Sequence, residues 1–373
     1  AGCGIINKTM LKEQILKWTA PFIDLPVAGM DISDRTIKYL KFRSNSGIDI
    51  DIWGELAIPE GLIVGGDIKN EEGLVKVMGD WLSREGRAFG SSFMAVSIPE
   101  EKSFLRVIQI PKVKLEEVSG AIRWEIEANI PLAPEDLIYD HEVIVPLEDH
   151  LDHYDVVITA YPKAVVESYV RVLKKTGLKI FSLELESQAV VRALIANLRE
   201  KKSRIIVDFG RNRTGFIIFA GGAMILTSTI GVGGSALEDN ITKILKVNRE
   251  EAIRLKKEVG LNKKEKNGEV FSALLPVMAT LADELKRVAE YYRNHTLHTH
   301  GATKDVDEVL LVGGDANLWG LDTYLSSILQ IQVNVADPWA SVRGLAKFLV
   351  PIIPKNQAIA YATVIGLAIR NFR

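Results

Sequence analysis

Apolar residues in this chain fall into runs of two kinds. In the first, β-branched and aromatic residues fill short stretches between glycine, serine or proline breaks, which predicts strands. VAGMDISDRTIKYLKF (27–42) and VDFGRNRTGFIIF (207–219) share one order: an apolar approach, an aspartate, a short polar turn, a threonine and a returning strand. Each continues across a glycine-containing reversal into a third strand, RSNSGIDIDIWGEL in the first copy and AGGAMILTSTI in the second. Two strand–acidic turn–strand–turn–strand units predict a duplicated fold.

Runs of the second kind have helical spacing. In NEEGLVKVMGDWLSREG, Leu74, Val75, Met78 and Leu82 share one face, and in KLEEVSGAIRWEIEANIP the same holds for Val118, Ile122 and Ile126. Residues 163–176, 240–246, 249–259 and 273–296 also read as helices. SSFMAVSIP and SFLRVIQIP read as strands stopped by Pro99 and Pro111, and LIYDHEVIV and YDVVITAYP as two more. The block from 91 to 176 therefore reads as a small α+β subdomain inserted between the repeats. DEVLLVGGDANLWGLDTYLSSIL predicts a buried strand, a double-glycine turn and a helix, IQVNVADP an edge strand, and QAIAYATVIGLAIR a closing helix whose small residues allow close packing.

Length and charge narrow this picture. At 373 residues the chain exceeds one simple core and predicts two lobes. A net charge of −2 argues against a general nucleic-acid binder. The single Cys3 excludes an internal disulfide and fits a reducing cytoplasm, and one cysteine with six histidines argues against structural zinc. Residues 214–237 carry no charge, a length a membrane helix could use, but the glycines and β-branched residues predict a buried hairpin turning at Gly221-Gly222. Residues 1–26 read as an N-terminal arm or a non-native remnant, with a short amphipathic helix at 10–18.

An aspartate at a strand end followed by a small-residue turn offers a carboxylate for Mg²⁺ and backbone N–H groups for an anion. Two such turns face to face would clasp phosphates, with Asp31 and Ser33 on one side and Asp208, Gly210 and Thr214 on the other. The competing reading makes both aspartates local turn acids. Arg211 and Arg213 either belong to such a site or are solvated. At Gly313-Gly314 a flat base or a phosphate could approach the backbone, or the turn is purely structural; neither Walker A nor G-x-G-x-x-G occurs.

The duplicated turns, the VGG turn and the ELES segment between the halves resemble the actin/Hsp70/hexokinase superfamily. AIRWEIEANIPLAPEDLIYDHEVI, SLELESQAVVRAL, REEAIRLKKEVGL, LADELKRVAEYY, GGDANLWGLDTYLSSIL, VADPW and YATVIGLAIR, in that order, resemble the PilM family of type IV pilus assembly proteins. The resemblance implies an α/β fold of duplicated actin-like (ribonuclease H-like) lobes. Residues 27–90 with 177–200 would form the first lobe, 91–176 the insertion, 201–350 the second lobe, and 351–373 a helix returning to the first. It implies ATP or ADP with Mg²⁺ as cofactor and a cytoplasmic place at the inner face of the inner membrane, reached through partners. The implied partner is the cytoplasmic N-terminal peptide of PilN, with pilus motor ATPases and other platform proteins as further contacts and homo-oligomer formation left open.

Carried over residue by residue, Asp31 and Ser33 match the first phosphate loop and Asp208, Gly210, Arg211, Asn212, Arg213 and Thr214 the second. Asp31 and Asp208 would hold the metal. Glu186 matches the acid that places Mg²⁺ or the attacking water, Lys256 a lysine near the ribose, and Gly313, Gly314, Asp315 and Asn317 the adenosine turn. The chain departs from the family where small residues usually build the second loop, here Arg211-Asn212-Arg213. It departs again at Ile253, where a glutamate is common, and at Ser187, where a proline often stands. These departures bear on hydrolysis more than on binding. The leading expectation is an ATP-binding adaptor with slow or no hydrolysis. The alternatives are an ATPase or small-molecule kinase of the same superfold, and an FtsA-like or GspL-like scaffold without nucleotide.

Overall fold

The computed structural model describes residues 27–43, 49–86, 89, 93–112, 115–144, 152–295, 302–345 and 352–370. The N-terminal arm, the Gly47 reversal and the first two residues of the expected insertion lie outside the described residues.

Both repeats form the predicted meander. In the first lobe β1 (Val27–Ile32), β2 (Thr36–Phe42) and β3 (Ile50–Ala57) pair antiparallel. The short hairpin β4 (Ile63–Val64) and β5 (Asp67–Ile68) leads into α1 (Glu71–Glu85), where Asn70 caps the first turn by accepting from Gly73 N. Next come β6 (Phe93–Ile98), β7 (Phe104–Pro111), α2 (Leu115–Asn129), β8 (Leu137–Val143), β9 (His153–Pro162), α3 (Lys163–Lys175), β10 (Lys179–Leu185) and α4 (Glu186–Leu194). The first sheet has the order β10-β6-β1-β2-β3, with β6 and β10 joining parallel.

The second lobe repeats that order. Its strands are β11 (Arg204–Phe209), β12 (Thr214–Ala220), β13 (Ala223–Ile230), β14 (Glu308–Val312) and β15 (Gln332–Val335), arranged β13-β12-β11-β14-β15, again three antiparallel and two parallel. Helices α5 (Gly234–Leu245), α6 (Arg249–Glu258), α7 (Glu269–Asn294) and α8 (Leu321–Leu329) belong to this half. Gly221 and Gly222 both take positive φ, as a two-residue hairpin turn requires, so the uncharged window is a pair of strands. Among the described residues no helix is long and apolar enough to cross a membrane.

The chain closes with α9 (Ala340–Leu345), α10 (Lys355–Ala358) and α11 (Ala362–Ala368). A Cβ on Gly366 would lie 1.8 Å from the Ala189 carbonyl oxygen, and one on Gly29 would lie 2.4 Å from that of Val364. Those two glycines let α11 lie directly against α4 and β1.

Two segments differ from the sequence reading of the insertion. Phe93–Ile98 pairs with β1 and β10 and so belongs to the first sheet. Helix α3 buries Tyr169, Val172 and Leu173 beside Met30, Leu74 and Met78 in the first-lobe core. Burial of such side chains stabilises by about 1.5–3 kcal/mol each, so the apolar face of α3 decides where it sits. What remains apart is the sheet β7-β9-β8, whose Ile108, Val156 and Ile158 pack on Val118, Ile122 and Ile126 of α2.

Candidate functional site between the lobes

The two acidic turns supply the floor of the cleft. Ile32 pairs with Ile37, leaving a tight turn in which Ser33 N and Ser33 Oγ both donate to the Thr36 carbonyl. Asp31, half-buried at the strand end, accepts from the hydroxyl of buried Ser97 at 2.7 Å. In the second lobe Phe209 pairs with Thr214, and Gly210 N closes the turn onto the Arg213 carbonyl at 3.0 Å. The buried Thr214 hydroxyl donates to Val232 O at 2.6 Å. Both loop hydroxyls, Ser33 and Thr214, thus hold local backbone.

Arg213 turns inward and crosses to the other lobe. Its guanidinium contacts both oxygens of Glu186, the first residue of α4, at 2.6 Å, and donates also to Glu101 after β6. Burial penalises that guanidinium, yet Glu186 and Glu101 raise it further above its ordinary value. Burial also pushes the Glu186 carboxyl well up; Arg213 opposes, while Asp31 and Glu101 add to the rise. One guanidinium nitrogen, Nη2, spans both Glu186 oxygens while Nη1 serves Glu101, and the short contacts are those of a charge-assisted pair. At Asp208, burial and then the charge of Asp31 hold the carboxyl above its ordinary value, against Arg213 and Lys38. Asp31, Asp208, Glu186, Glu101 and Arg213 therefore form one electrostatic cluster.

A second cluster lies at the expected adenosine side. Lys256 on α6 donates to Glu238 on α5 at 2.7 Å and to Asp315 at 2.6 Å, with all three side chains largely buried. Asp315 reaches across the start of α5: a Cβ on Gly234 would lie 1.9 Å from its carboxylate. Gly313 has φ +98 and faces Asp208, whose Oδ1 a Cβ there would meet at 2.4 Å. Gly314 has no comparably close neighbour, and the Asn317 amide donates to the Asn356 carbonyl. Arg211 is half exposed with Glu238 at 3.5 Å, and its carbonyl accepts from Ser235 N. Exposed Asn212 accepts from the Ser235 hydroxyl at 3.4 Å. Sequence reasoning missed Glu101, Ser97, Lys38 and Glu238, which become partners only when distant segments pack together.

Beside this cleft lies a groove of about 980 Å³. One wall is β8 of the insertion; α4 contributes Gln188, Val191 and Arg192, and the ends of β12 and β13 beside their hairpin turn contribute Phe219, Ala223 and Met224. Strand β8 pairs with β9 on one side and exposes Ile138 and Tyr139.

Comparison with known proteins decides the family. The sequence profile described as type IV pilus assembly protein PilM matches residues 29–372. The chain belongs to the PilM family. The PilM-family chain is similar to a solved "PilM-PilN type IV pilus biogenesis complex", with TM-score 0.76 and 22% identity over 94% of this chain and 100% of that one. MreB5 of Spiroplasma citri bound to ADP is similar in fold at TM-score 0.54 and 14% identity, over 87% of this chain and 96% of that one. Cell division protein FtsA of Bacillus subtilis (strain 168) is 24% identical over 195 residues, 47% of this chain and less than half, 43%, of FtsA itself. Actin-like lobes are thus the fold of this PilM-family chain.

The nucleotide and metal implied by that fold meet a mixed donor set. Asp31 and Asp208 would offer hard oxygen atoms from the two facing turns, and the charge of Asp31 felt at Asp208 would favour a cation near both. Among the described residues no group of three or more His, Cys, Asp or Glu is placed to hold a metal, so two carboxylates would need water to complete a Mg²⁺ shell. At Glu186 any metal or water would compete with Arg213, whose Nη2 already contacts both carboxylate oxygens.

Proposed function

We propose that this PilM-family chain is an adaptor of the pilus assembly platform that captures the cytoplasmic N-terminal peptide of PilN. It would work at the inner face of the inner membrane, to which the partner brings it. The carrying observation is the groove: a strand edge with exposed apolar residues faces a second wall across space for an extended segment. An extended peptide can add to such an edge through backbone hydrogen bonds, with alternate side chains seated in the groove. The solved relative, a complex of PilM with PilN, supports the choice of partner.

ATP or ADP with Mg²⁺ belongs to this reading as a bound, unhydrolysed ligand. Bound nucleotide would supply phosphate charge for the metal and for the backbone N–H groups of the two turns. Asp31 and Asp208 would hold Mg²⁺ through water, and Gly314 leaves room at the backbone for the adenosine. Glu186 is paired with Arg213, which competes with an attacking water for its oxygens. That pairing favours the adaptor over an ATPase or kinase.

The test is a titration of fluorescein-labelled PilN N-terminal peptide, followed by anisotropy. Ala223→Arg, which fills the groove from the second-lobe wall, is expected to weaken binding at least tenfold at unchanged thermal stability. A blank titration with wild type would remove the reading.

A further inference from the structure

Resting on the groove reading, we propose that Arg213 holds the two lobes at the spacing that forms the peptide groove, so that capture needs no nucleotide. The bond between Arg213 and Glu186 joins the beginnings of two elements whose continuations line the groove. Glu186 is the first residue of α4, and Gln188 and Val191 of the same helix line the groove. Arg213 immediately precedes β12, and Phe219 near the far end of that strand lines the opposite side, with Ala223 and Met224 beyond the hairpin. A helix and a paired strand are stiff over this length, about 1.5 Å and 3.4 Å per residue. Fixing where they start fixes how far apart the groove walls stand.

The second arm of the contact reinforces the first-lobe side. Glu101 follows Ile98, a groove residue at the end of β6, and the Ile98 carbonyl accepts from Tyr161 OH at 3.0 Å. Between them Glu100 accepts from Ser187 N at 3.2 Å and Ser187 Oγ at 3.1 Å. The β6–β7 turn and the start of α4 are thus tied together before Arg213 grips both. Arg213, Glu186 and Glu101 have side chains between 11% and 22% exposed, so the bonds are sheltered from competing water.

In a two-lobed protein that closes on a ligand, the ligand contributes the difference in free energy between open and closed forms. Here a side chain from one lobe already pairs with two acids of the other. The arginine at the position where small residues usually build a phosphate loop therefore acts as an internal substitute for the bridging role of nucleotide.

The experiment measures affinity for the labelled PilN peptide by anisotropy, for wild type and Arg213→Ser, each with and without Mg-ATP. The wild-type affinity is expected to agree within about twofold in the two conditions. Arg213→Ser is expected to bind at least tenfold more weakly without nucleotide. Glu101→Gln, which removes one arm and leaves Glu186 paired, is expected to lose about threefold and decides the matter if Arg213→Ser does not fold by circular dichroism. Wild-type capture that depends tenfold on Mg-ATP overturns the inference and leaves the groove reading standing. So does full affinity in a folded Arg213→Ser variant or, where that variant does not fold, in Glu101→Gln. No peptide binding by wild type in either condition overturns the groove reading, and the inference with it.

Discussion

Arg213 and Glu186 stand 27 positions apart in sequence and meet across the inter-lobe cleft, the guanidinium 2.6 Å from both carboxylate oxygens. The contact gives the inward arginine a role that the sequence left open: it is neither solvated nor a free phosphate ligand. It also separates the two acids of the first lobe. Asp31 stays with Asp208 where a cation could sit, while Glu186 is withdrawn into an ion pair.

Removing that cation is expected to destabilise the fold. Arg213→Met leaves Glu186 and Glu101 largely buried without their partner, and breaking a buried pair from one side costs about 3–5 kcal/mol. Denaturant midpoints at pH 7 measure it. The additional change Glu186→Gln should recover part of the loss, because a neutral amide is less costly to bury; no recovery would place the effect outside the ion pair.

Asp208 is expected to show the opposite behaviour. Burial and Asp31 raise its carboxyl above the ordinary value of 3.8, so the folded state holds more protons than the unfolded chain between that value and the raised one. Stability from this group is fully present below 3.8 and falls as pH rises through the raised value. Asp208→Asn lacks the penalty and is expected to be more stable than wild type at pH 7 by about 0.5–2 kcal/mol. The gain should vanish near pH 3.5. Equal midpoints at pH 7 would contradict the burial and repulsion assigned to Asp208.

What the sequence shows follows from how local each feature is. The Asp31 and Asp208 turns, the Gly221-Gly222 hairpin and the Gly313-Gly314 turn are written in neighbouring residues, and the structure has them. The lobe to which Phe93–Ile98 belongs is not local: an apolar run ending at Pro99 reads the same in either sheet, and only pairing with β1 and β10 settles it. Arg213 is the sharpest case. Its partner Glu101 lies 112 positions away in an unremarked acidic pair, and no spacing rule links the two. Lys256 stands out only through the resemblance, while its partners Glu238 and Asp315 depend on how α5, α6 and the turn after β14 pack.

That Lys256 triad gives a pH dependence of the other sign. Burial tends to raise the Glu238 carboxyl, but the Lys256 hydrogen bond and charge, with Arg211 and Arg249, hold it below its ordinary value of 4.5. Its stabilisation is present above 4.5 and is lost as pH falls through the lowered value. Lys256→Met is expected to cost about 3–5 kcal/mol at pH 7, because Glu238 and Asp315 lose their shared cation. The difference from wild type should shrink toward pH 4 as Glu238 of the variant protonates. A loss independent of pH would point to packing of the lysine stem instead.

The locked acid makes a prediction about turnover that is separable from binding. Mg-ATP at about 100 times its dissociation constant should stabilise wild type by about 2.7 kcal/mol, a shift of several degrees for a responding lobe of about 150–250 residues. Asp208→Asn, although more stable on its own, should lose that shift because one of the two carboxylates proposed to hold Mg²⁺ is gone. Phosphate release by wild type should stay at the level of buffer, since Arg213 competes with water for the Glu186 oxygens. Arg213→Thr shortens the side chain and frees both oxygens; where the variant folds, it should release phosphate measurably faster than wild type. A wild type that hydrolyses ATP as fast as Arg213→Thr would show that the ion pair does not restrain Glu186. An Asp208→Asn variant that keeps the full thermal shift would move the nucleotide away from the acidic turns.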